Sequence, residues 1–230
     1  MPNIHDLTFG IHVTSLKNWD EIDAWANERI LSRVETTPEI KAKAEELTAS
    51  YATAEEKMEA LYYFIQTEFE YVQADLDRGG YTPHYASEIY ENLYGDCKDQ
   101  VTLFISLLKS AGIRAYPALI NPYPYWTIDR KFPTPHFSHL IVYIPTDQKE
   151  YWLDTTSDVT PFPNLYYSNQ GRWAFVIDGK GGKFHKTPLA KAEENLVISE
   201  INSLIEGTNY KNEMILKTRG YFNDTNKPLV

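Results

Sequence analysis

The chain has 230 residues, 43% of them hydrophobic and 23% charged, which is typical of a globular domain and argues against a disordered or collagenous chain. It contains one cysteine, Cys97, so an internal disulfide and a cysteine-rich zinc site are both excluded. The net charge is −10, and residues 1–100 carry 20 acidic but only 8 basic side chains. Because nucleic-acid binding requires clustered lysine and arginine, no nucleic-acid partner is expected.

The first half of the chain has the apolar spacing of amphipathic helices. The predicted helices cover residues 18–34, 37–47, 53–69 and 85–93. Pro38 suits the first turn of the second helix. Thr53 and Glu56 have the spacing of a capping box at the start of the third.

A helix that is apolar nearly all round follows the motif Gly-Asp-Cys-Lys-Asp at residues 95–99. It is predicted to start at Cys97 and to end before Gly112, a residue type common just beyond a helix C-terminus. A helix without a polar face is normally surrounded by other elements. This helix is therefore expected to be central and buried.

Beyond this helix the chain changes to short β-branched and aromatic runs, which predict strands. The predicted strands cover residues 113–120, 138–144, 150–154, 173–177, 184–187, 196–205 and 213–222. A long loop rich in proline and aromatic residues, 121–137, separates the first two.

The sequence contains neither the ~20 consecutive apolar residues of a membrane span nor a signal peptide at its first residues. No transmembrane segment is expected. Because the chain ends soon after a predicted strand, we expect it to be a piece of a longer protein.

Cys97 is a candidate nucleophile because of its place at a helix start. Unpaired backbone amides and the helix dipole there favour an anion, and the thiolate is the reactive form of cysteine. The alternative is an inert cysteine of the core. The charged residues on both sides of Cys97 argue against that alternative.

A thiolate nucleophile needs a base, and the base needs a group that orients it. His139 begins a predicted strand, and Asp154 ends the next one. A hairpin through residues 145–149 would bring Asp154 back beside one imidazole nitrogen and leave the other for Cys97. Considered singly, His139 could instead be an ordinary polar residue at a strand edge, and Asp154 a turn residue.

Four segments together resemble the transglutaminase-like superfamily. They are the motif at residues 95–99, residues 111–120, residues 137–142 and residues 151–156. More narrowly, they are similar to a bacterial branch in which the core is flanked by N-terminal and C-terminal β domains of unknown function. The resemblance extends from about Ser15 to Asn195.

The resemblance implies an α+β fold with a papain-like, transglutaminase-like core. In such a core, N-terminal helices and a central buried helix carrying the nucleophile pack on an antiparallel β-sheet, followed here by a C-terminal β extension. It implies a catalytic core over residues 1–160 and the truncated start of a further β domain over 161–230. It also implies a catalytic triad of Cys97, His139 and Asp154. Members of the family often have proline after the triad aspartate, where this chain has Thr155.

A Cys-His-Asp triad predicts acyl transfer at an amide of a peptide or protein, without a cofactor. Hydrolysis is expected, and cross-linking to an amine acceptor is the alternative. The backbone amide of Cys97 would meet the oxyanion, and Gln73 or Tyr81 is a guess for the second donor. Flanking domains of the parent chain and an extracytoplasmic location follow from the resemblance alone.

The loop over residues 121–137 is predicted to overhang the site, because it connects the strand after the nucleophile helix to the base strand. Its candidate substrate-groove residues are Tyr123, Tyr125, Trp126 and His136. Aromatic rings on a proline-stiffened loop suit a peptide groove. Packing of these rings on the core or on a flanking domain is the alternative.

His136 is a rival base three residues before His139, but residues three apart on a strand point to opposite faces. The same argument disfavours a metal site shared by the two. Residues 75–80 begin like a calcium loop, but its twelfth position is Ala86 instead of glutamate. No metal is expected.

A non-catalytic binding or scaffolding module of a larger envelope protein is a further alternative to an enzyme.

Overall fold

The computed structural model describes residues 13–72, 80–122, 128–207 and 209–220. Five α-helices occur among them: α1 Trp19–Arg29, α2 Pro38–Thr48, α3 Ala54–Glu68, α4 Ala86–Asn92 and α5 Cys97–Ser110. The segment 75–80, which was compared with a calcium loop, lies outside the described residues except for Gly80.

Side chains close to each helix start fix where the first three helices begin. The side chains of Asn18 and Thr37 accept backbone N–H groups of the first turns of α1 and α2. Thr53 and Glu56 bond to each other's backbone N–H groups, so the predicted capping box of α3 is confirmed. Helix α1 ends earlier than predicted, at Arg29, and a 3₁₀ turn follows over Leu31–Arg33.

Helix α5 is the centre of the molecule. Every residue from Cys97 to Leu108 is buried. The helix stops at Ser110, and Gly112 adopts a φ of +77°, a left-handed conformation that a residue with a side chain rarely adopts. The prediction of a central helix without a solvent face is confirmed.

Nine strands form three sheets among the described residues. They are β1 Glu70–Tyr71, β2 Tyr94–Gly95, β3 Tyr116–Ile120, β4 His139–Pro145, β5 Glu150–Leu153, β6 Trp173–Val176, β7 Lys183–Lys186, β8 Leu196–Glu206 and β9 Asn209–Arg219. The central sheet has the order β5-β4-β3-β6-β7, and all its neighbours are antiparallel. Strand β3 starts at Tyr116, three residues later than predicted.

Alternate residues of the central sheet pack on opposite sides. Leu140, Val142 and Ile144 of β4 belong to the large core that also contains α5, whereas Ile141 and Tyr143 belong to a second, smaller cluster. Helices on one face of an antiparallel sheet give the α+β architecture that the resemblance implied.

The central sheet continues beyond residue 160, because β6 pairs with β3 and β7 pairs with β6. The predicted domain boundary after residue 160 therefore falls inside this sheet. The turn between β6 and β7 is tied back to α1 by the buried Asp23. Its carboxylate accepts the backbone N–H groups of Asp178, Gly179 and Gly181 at 2.9–3.2 Å.

Strands β8 and β9 form a long two-stranded hairpin in register from Leu196↔Arg219 to Glu206↔Asn209. Gly207, which follows β8, has a φ of +62°, and Thr208 lies outside the described residues. Strand β9 starts at Asn209, four residues earlier than predicted. Large apolar side chains of this hairpin, such as Ile205 and Tyr210, are exposed.

Candidate active site

Cys97 is the first residue of α5, and its neighbours fix this helix start. The Asp96 carboxylate accepts the N–H groups of Lys98 and Asp99 at 3.1 and 3.3 Å. The Asp99 carboxylate accepts the N–H of Asp96 at 3.3 Å, which completes a reciprocal capping box. The thiol is thus held at the positive end of the helix dipole, where an anion is favoured.

The Asp99 side chain packs so closely against the backbone of residue 95 that only glycine fits there. A Cβ at residue 95 would lie 2.5 Å from the Asp99 Cβ, a distance that forces the backbone to move. The Asp99 carboxylate also accepts the backbone N–H of His84 at 2.9 Å and lies 3.2 Å from the His84 Nδ1. Asp99 therefore links helix α5 to the segment before α4.

Lys98 forms an ion pair with the capping Asp96. Its Nζ contacts the Asp96 Oδ2, and the two side chains are only 5% and 7% exposed. Attraction between buried charges offsets their desolvation only while both partners are present. The charged residues beside Cys97 are thus part of the interior.

Replacing Lys98 by methionine is expected to lower the free energy of unfolding by about 3 kcal/mol, because Asp96 would keep a charge in the interior without its partner. Urea unfolding followed by circular dichroism measures this change. Lys109→Met, an exposed site in the last turn of the same helix, is the matched control and is expected to lower it by less than about 1 kcal/mol. An equal decrease in the free energy of unfolding in both variants would show that the buried Lys98–Asp96 pair contributes no more to stability than an exposed lysine does.

His139 and Asp154 are brought together by the β4–β5 hairpin. The pairing runs from Pro145↔Glu150 to Val142↔Leu153, so Asp154 follows β5 at the end of the sheet where β4 begins. The His139 Nε2 lies 2.9 Å from the Asp154 Oδ2. Cys97 is near enough to the imidazole to help raise its pKa, and Nδ1 is the ring nitrogen that Asp154 leaves available.

The three side chains influence one another electrostatically. Burial opposes a charge on His139, but the Asp154 carboxylate and hydrogen bonds to Asp154 and Cys97 outweigh it and raise the pKa of His139 to about 10. Burial also opposes a charge on Asp154, but His139 and the donors of Thr156 hold its pKa below the usual value. Both shifts favour an imidazolium and a carboxylate at neutral pH.

Four donors surround the Asp154 carboxylate. Thr156 donates its N–H and hydroxyl to Oδ1 at 3.0 and 2.7 Å, and His139 donates to Oδ2. The fourth is the side-chain amide of Asn169, whose Nδ2 lies 2.7 Å from Oδ2. Sequence analysis missed Asn169, because it lies in an irregular segment 15 residues after Asp154 and matches no local motif.

Of the other predicted site residues, only His136 and Tyr81 lie in the part of the chain that the structure describes. His136 is exposed and lies before β4 begins, so the argument from opposite strand faces does not apply to it. His139 is the histidine that contacts Asp154. The Tyr81 hydroxyl donates to the carbonyls of Pro135 and Phe137, just before β4. Predictions that lie outside the described residues are those for Gln73, Tyr123, Tyr125 and Trp126.

Among the described residues, no group of three or more His, Cys, Asp and Glu side chains is arranged to hold a metal ion. Within the same part of the chain, every helix is too short or too polar to cross a membrane.

Comparison with solved structures defines the class of fold. A crystal structure described as a candidate protease from Parabacteroides distasonis superposes with a TM-score of 0.60 at 18% sequence identity, over 76% of this chain and 32% of that chain. This chain therefore spans about a third of that protein. A candidate cysteine protease from Cytophaga hutchinsonii gives a TM-score of 0.43 at 14% identity, over 82% of this chain and 55% of that chain.

Residues 41–144 match the family model of the transglutaminase-like superfamily. The matched segment, 104 of the 230 residues, is similar to that superfamily and includes Cys97 and His139. Asp154 follows ten residues after the matched segment. No curated protein matches the chain in sequence.

Proposed function

We propose that this protein cleaves amide bonds of peptides or proteins by thiol-dependent acyl transfer to water. The observation that carries the proposal is the 2.9 Å contact of the His139 imidazole with the Asp154 carboxylate, next to a Cys97 thiol that helps to raise the pKa of the same imidazole. A nucleophile, a base and an orienting carboxylate in this order are the arrangement of a catalytic triad.

In the first step the Cys97 thiolate attacks the carbonyl carbon of the amide, and the electron pair of the C=O bond moves onto oxygen. The backbone N–H of Cys97, at the first helical position, has no acceptor within the helix and can donate to this oxyanion. Collapse of the intermediate breaks the C–N bond, and the His139 imidazolium gives its proton to the leaving amine. A thioester on Cys97 remains.

In the second step His139, now neutral, takes a proton from water, and the resulting hydroxide attacks the thioester carbonyl. The carboxylic acid leaves, and the Cys97 thiolate beside the His139 imidazolium is restored. Asp154 keeps the ring in the tautomer with a proton on Nε2 and stabilises the imidazolium. Of the two candidates for a second oxyanion donor, Gln73 stays a prediction, whereas the Tyr81 hydroxyl already donates its one proton to the carbonyls of Pro135 and Phe137.

The description of the Parabacteroides distasonis structure as a candidate protease agrees with a peptide or protein substrate. Transfer to an amine instead of water would use the same thioester. Incubation in H₂¹⁸O distinguishes the two, because only hydrolysis places ¹⁸O in the new carboxyl group.

The pH dependence of Cys97 alkylation by iodoacetamide tests the proposed thiolate, with intact-mass measurement as readout. A free cysteine reacts roughly 75-fold more slowly at pH 6 than at pH 8, because its thiolate fraction falls by that factor. We expect Cys97 to slow by less than about fivefold, because the imidazolium of His139 keeps the thiolate present. The comparison of two pH values in one protein cancels the effect of burial on the absolute rate.

His139→Ala is the reference variant for this measurement, since it removes the imidazolium while Cys97 stays at the helix start. It should restore a steep loss of rate toward pH 6. A roughly 75-fold loss in the wild-type protein itself would contradict the proposed function.

A further inference from the structure

Asn169 is almost completely buried, with 1% of its surface exposed, and only one half of its side-chain amide has a partner. Its Nδ2 donates to the Asp154 Oδ2 at 2.7 Å. Its Oδ1 is buried and accepts no hydrogen bond from any described residue. The opposite orientation of the amide would place its oxygen against the carboxylate, so the chemistry fixes Nδ2 as the donor.

The backbone around Asn169 is anchored independently of Asp154. Asn169 ends a 3₁₀ turn, Tyr167–Asn169, and its carbonyl accepts the Thr187 hydroxyl at 2.6 Å. The Thr187 hydroxyl oxygen also accepts the backbone N–H of Arg172 at 2.9 Å. The amide is thus held against Asp154 by the segments that flank strands β6 and β7.

Asp154 depends on this donor for the orientation of one oxygen. Thr156 binds Oδ1. Because Thr156 is only two residues from Asp154, it moves together with Asp154 and does not fix the carboxylate relative to the rest of the fold. Asn169 and His139 share Oδ2 and approach it from separate elements. Loss of the Asn169 amide would leave Oδ2 with His139 as its one side-chain partner among the described residues.

We propose that Asn169 is a positioning residue of the active site, which holds the Asp154 carboxylate so that the His139 imidazolium stays directed at Cys97. The inference rests on the proposed function and extends it to a residue outside the triad. Burying an amide oxygen without a hydrogen-bond partner is unfavourable for stability. Orientation of the Asp154 carboxylate would explain why an asparagine is found here despite that cost.

Asn169→Leu removes the donor and keeps the number and branching of the side-chain heavy atoms, although the two methyl groups are bulkier than the amide. We expect the rate of Cys97 alkylation by iodoacetamide at pH 6 to fall roughly tenfold, because a less constrained carboxylate holds the imidazolium less firmly. Thr48→Val is the matched control. It removes a buried hydroxyl bond to the Ala44 carbonyl on α2, far from the site in the chain, and should lower Tm without changing the alkylation rate.

A double-mutant cycle with Asp154→Ala separates positioning from a general loss of structure. If Asn169 acts through Asp154, adding Asn169→Leu to Asp154→Ala lowers the alkylation rate no further. If the two effects multiply, Asn169 acts elsewhere and the inference is overturned. An unchanged rate in Asn169→Leu alone overturns it as well.

The wild-type ratio of rates at pH 8 and pH 6 is measured in the same series. A ratio below about five together with a normal rate in Asn169→Leu would overturn only the role of Asn169. A ratio near that of free cysteine, roughly 75, would overturn the proposed function and the role of Asn169 with it.

NMR tests the contact even if Asn169→Leu and the smaller Asn169→Ala fail to fold. In protein labelled with ¹⁵N-asparagine, we expect one side-chain amide to be protected from exchange and to change its chemical shift in Asp154→Ala. The absence of such a signal would overturn the inference.

Discussion

Cys97→Ala is expected to lower amide cleavage by at least about 10³-fold, because the covalent route through a thioester disappears with the sulfur. Cys97 is the sole cysteine of the 230 residues, so no other thiol can replace it. A mixed peptide library in H₂¹⁸O, analysed by mass spectrometry, reports both cleavage and the acceptor. The fold should persist, since the change removes one buried atom.

Ser106→Ala is the matched control for this experiment. It also removes one buried polar atom from helix α5, and the Ser106 Oγ has no hydrogen-bond partner among the described residues. We expect its cleavage rate to equal that of the wild-type protein. Cleavage that survives in Cys97→Ala would rule out the covalent mechanism, whereas a wild-type protein that cleaves no peptide of the library would favour the non-catalytic binding module.

Asp154→Asn is expected to lower kcat/KM by about 10²- to 10⁴-fold, the range in which loss of an orienting carboxylate falls. The side chain keeps its size, but its negative charge beside the His139 Nε2 is lost. The new amide can also present an N–H to the ring, which favours the wrong tautomer. Initial rates with the best peptide of the library measure the effect.

The pH profile of Asp154→Asn carries a second expectation, whose sign follows from the environment of His139. Burial lowers the pKa of His139, and the Asp154 charge is the largest influence that raises it to about 10. Without that charge the pKa falls, so the imidazolium that protonates the leaving amine is lost at lower pH. The alkaline limb of kcat/KM should therefore move to lower pH.

Asp158→Asn provides the matched control, because it removes the same charge from an exposed residue four positions further on. Its activity and pH profile should be those of the wild-type protein. An Asp154→Asn profile that coincides with the wild-type profile would show that Asp154 does not govern the charge of His139.

Local sequence was sufficient to predict helix α5, which begins at the candidate nucleophile Cys97. Its start at Cys97, its stop before Gly112 and its burial all depend on residues within one short segment. The capping box of Thr53 and Glu56 is local in the same way. Helix ends are determined by groups only three or four positions apart, so they can be predicted from spacing alone.

The partners of Cys97 required a longer-range argument. His139 and Asp154 were identified from a predicted hairpin and from the family resemblance, and the hairpin pairing then brought their side chains to 2.9 Å. Their spacing of 15 residues has no meaning outside that pairing. A different register would separate them, because each residue of slip reverses the face of every side chain.

The sequence by itself determined a helix-borne thiol, an α+β fold and two candidate partners for the thiol. Tertiary structure decided that Lys98 and Asp96 form a buried pair, and that Asn169 lies against Asp154 across the predicted boundary at residue 160. The physical reason is the separation along the chain of the groups that interact. Capping and helix periodicity act between neighbours in the chain, whereas the environment of a buried charge is set by residues that only folding brings within hydrogen-bond distance.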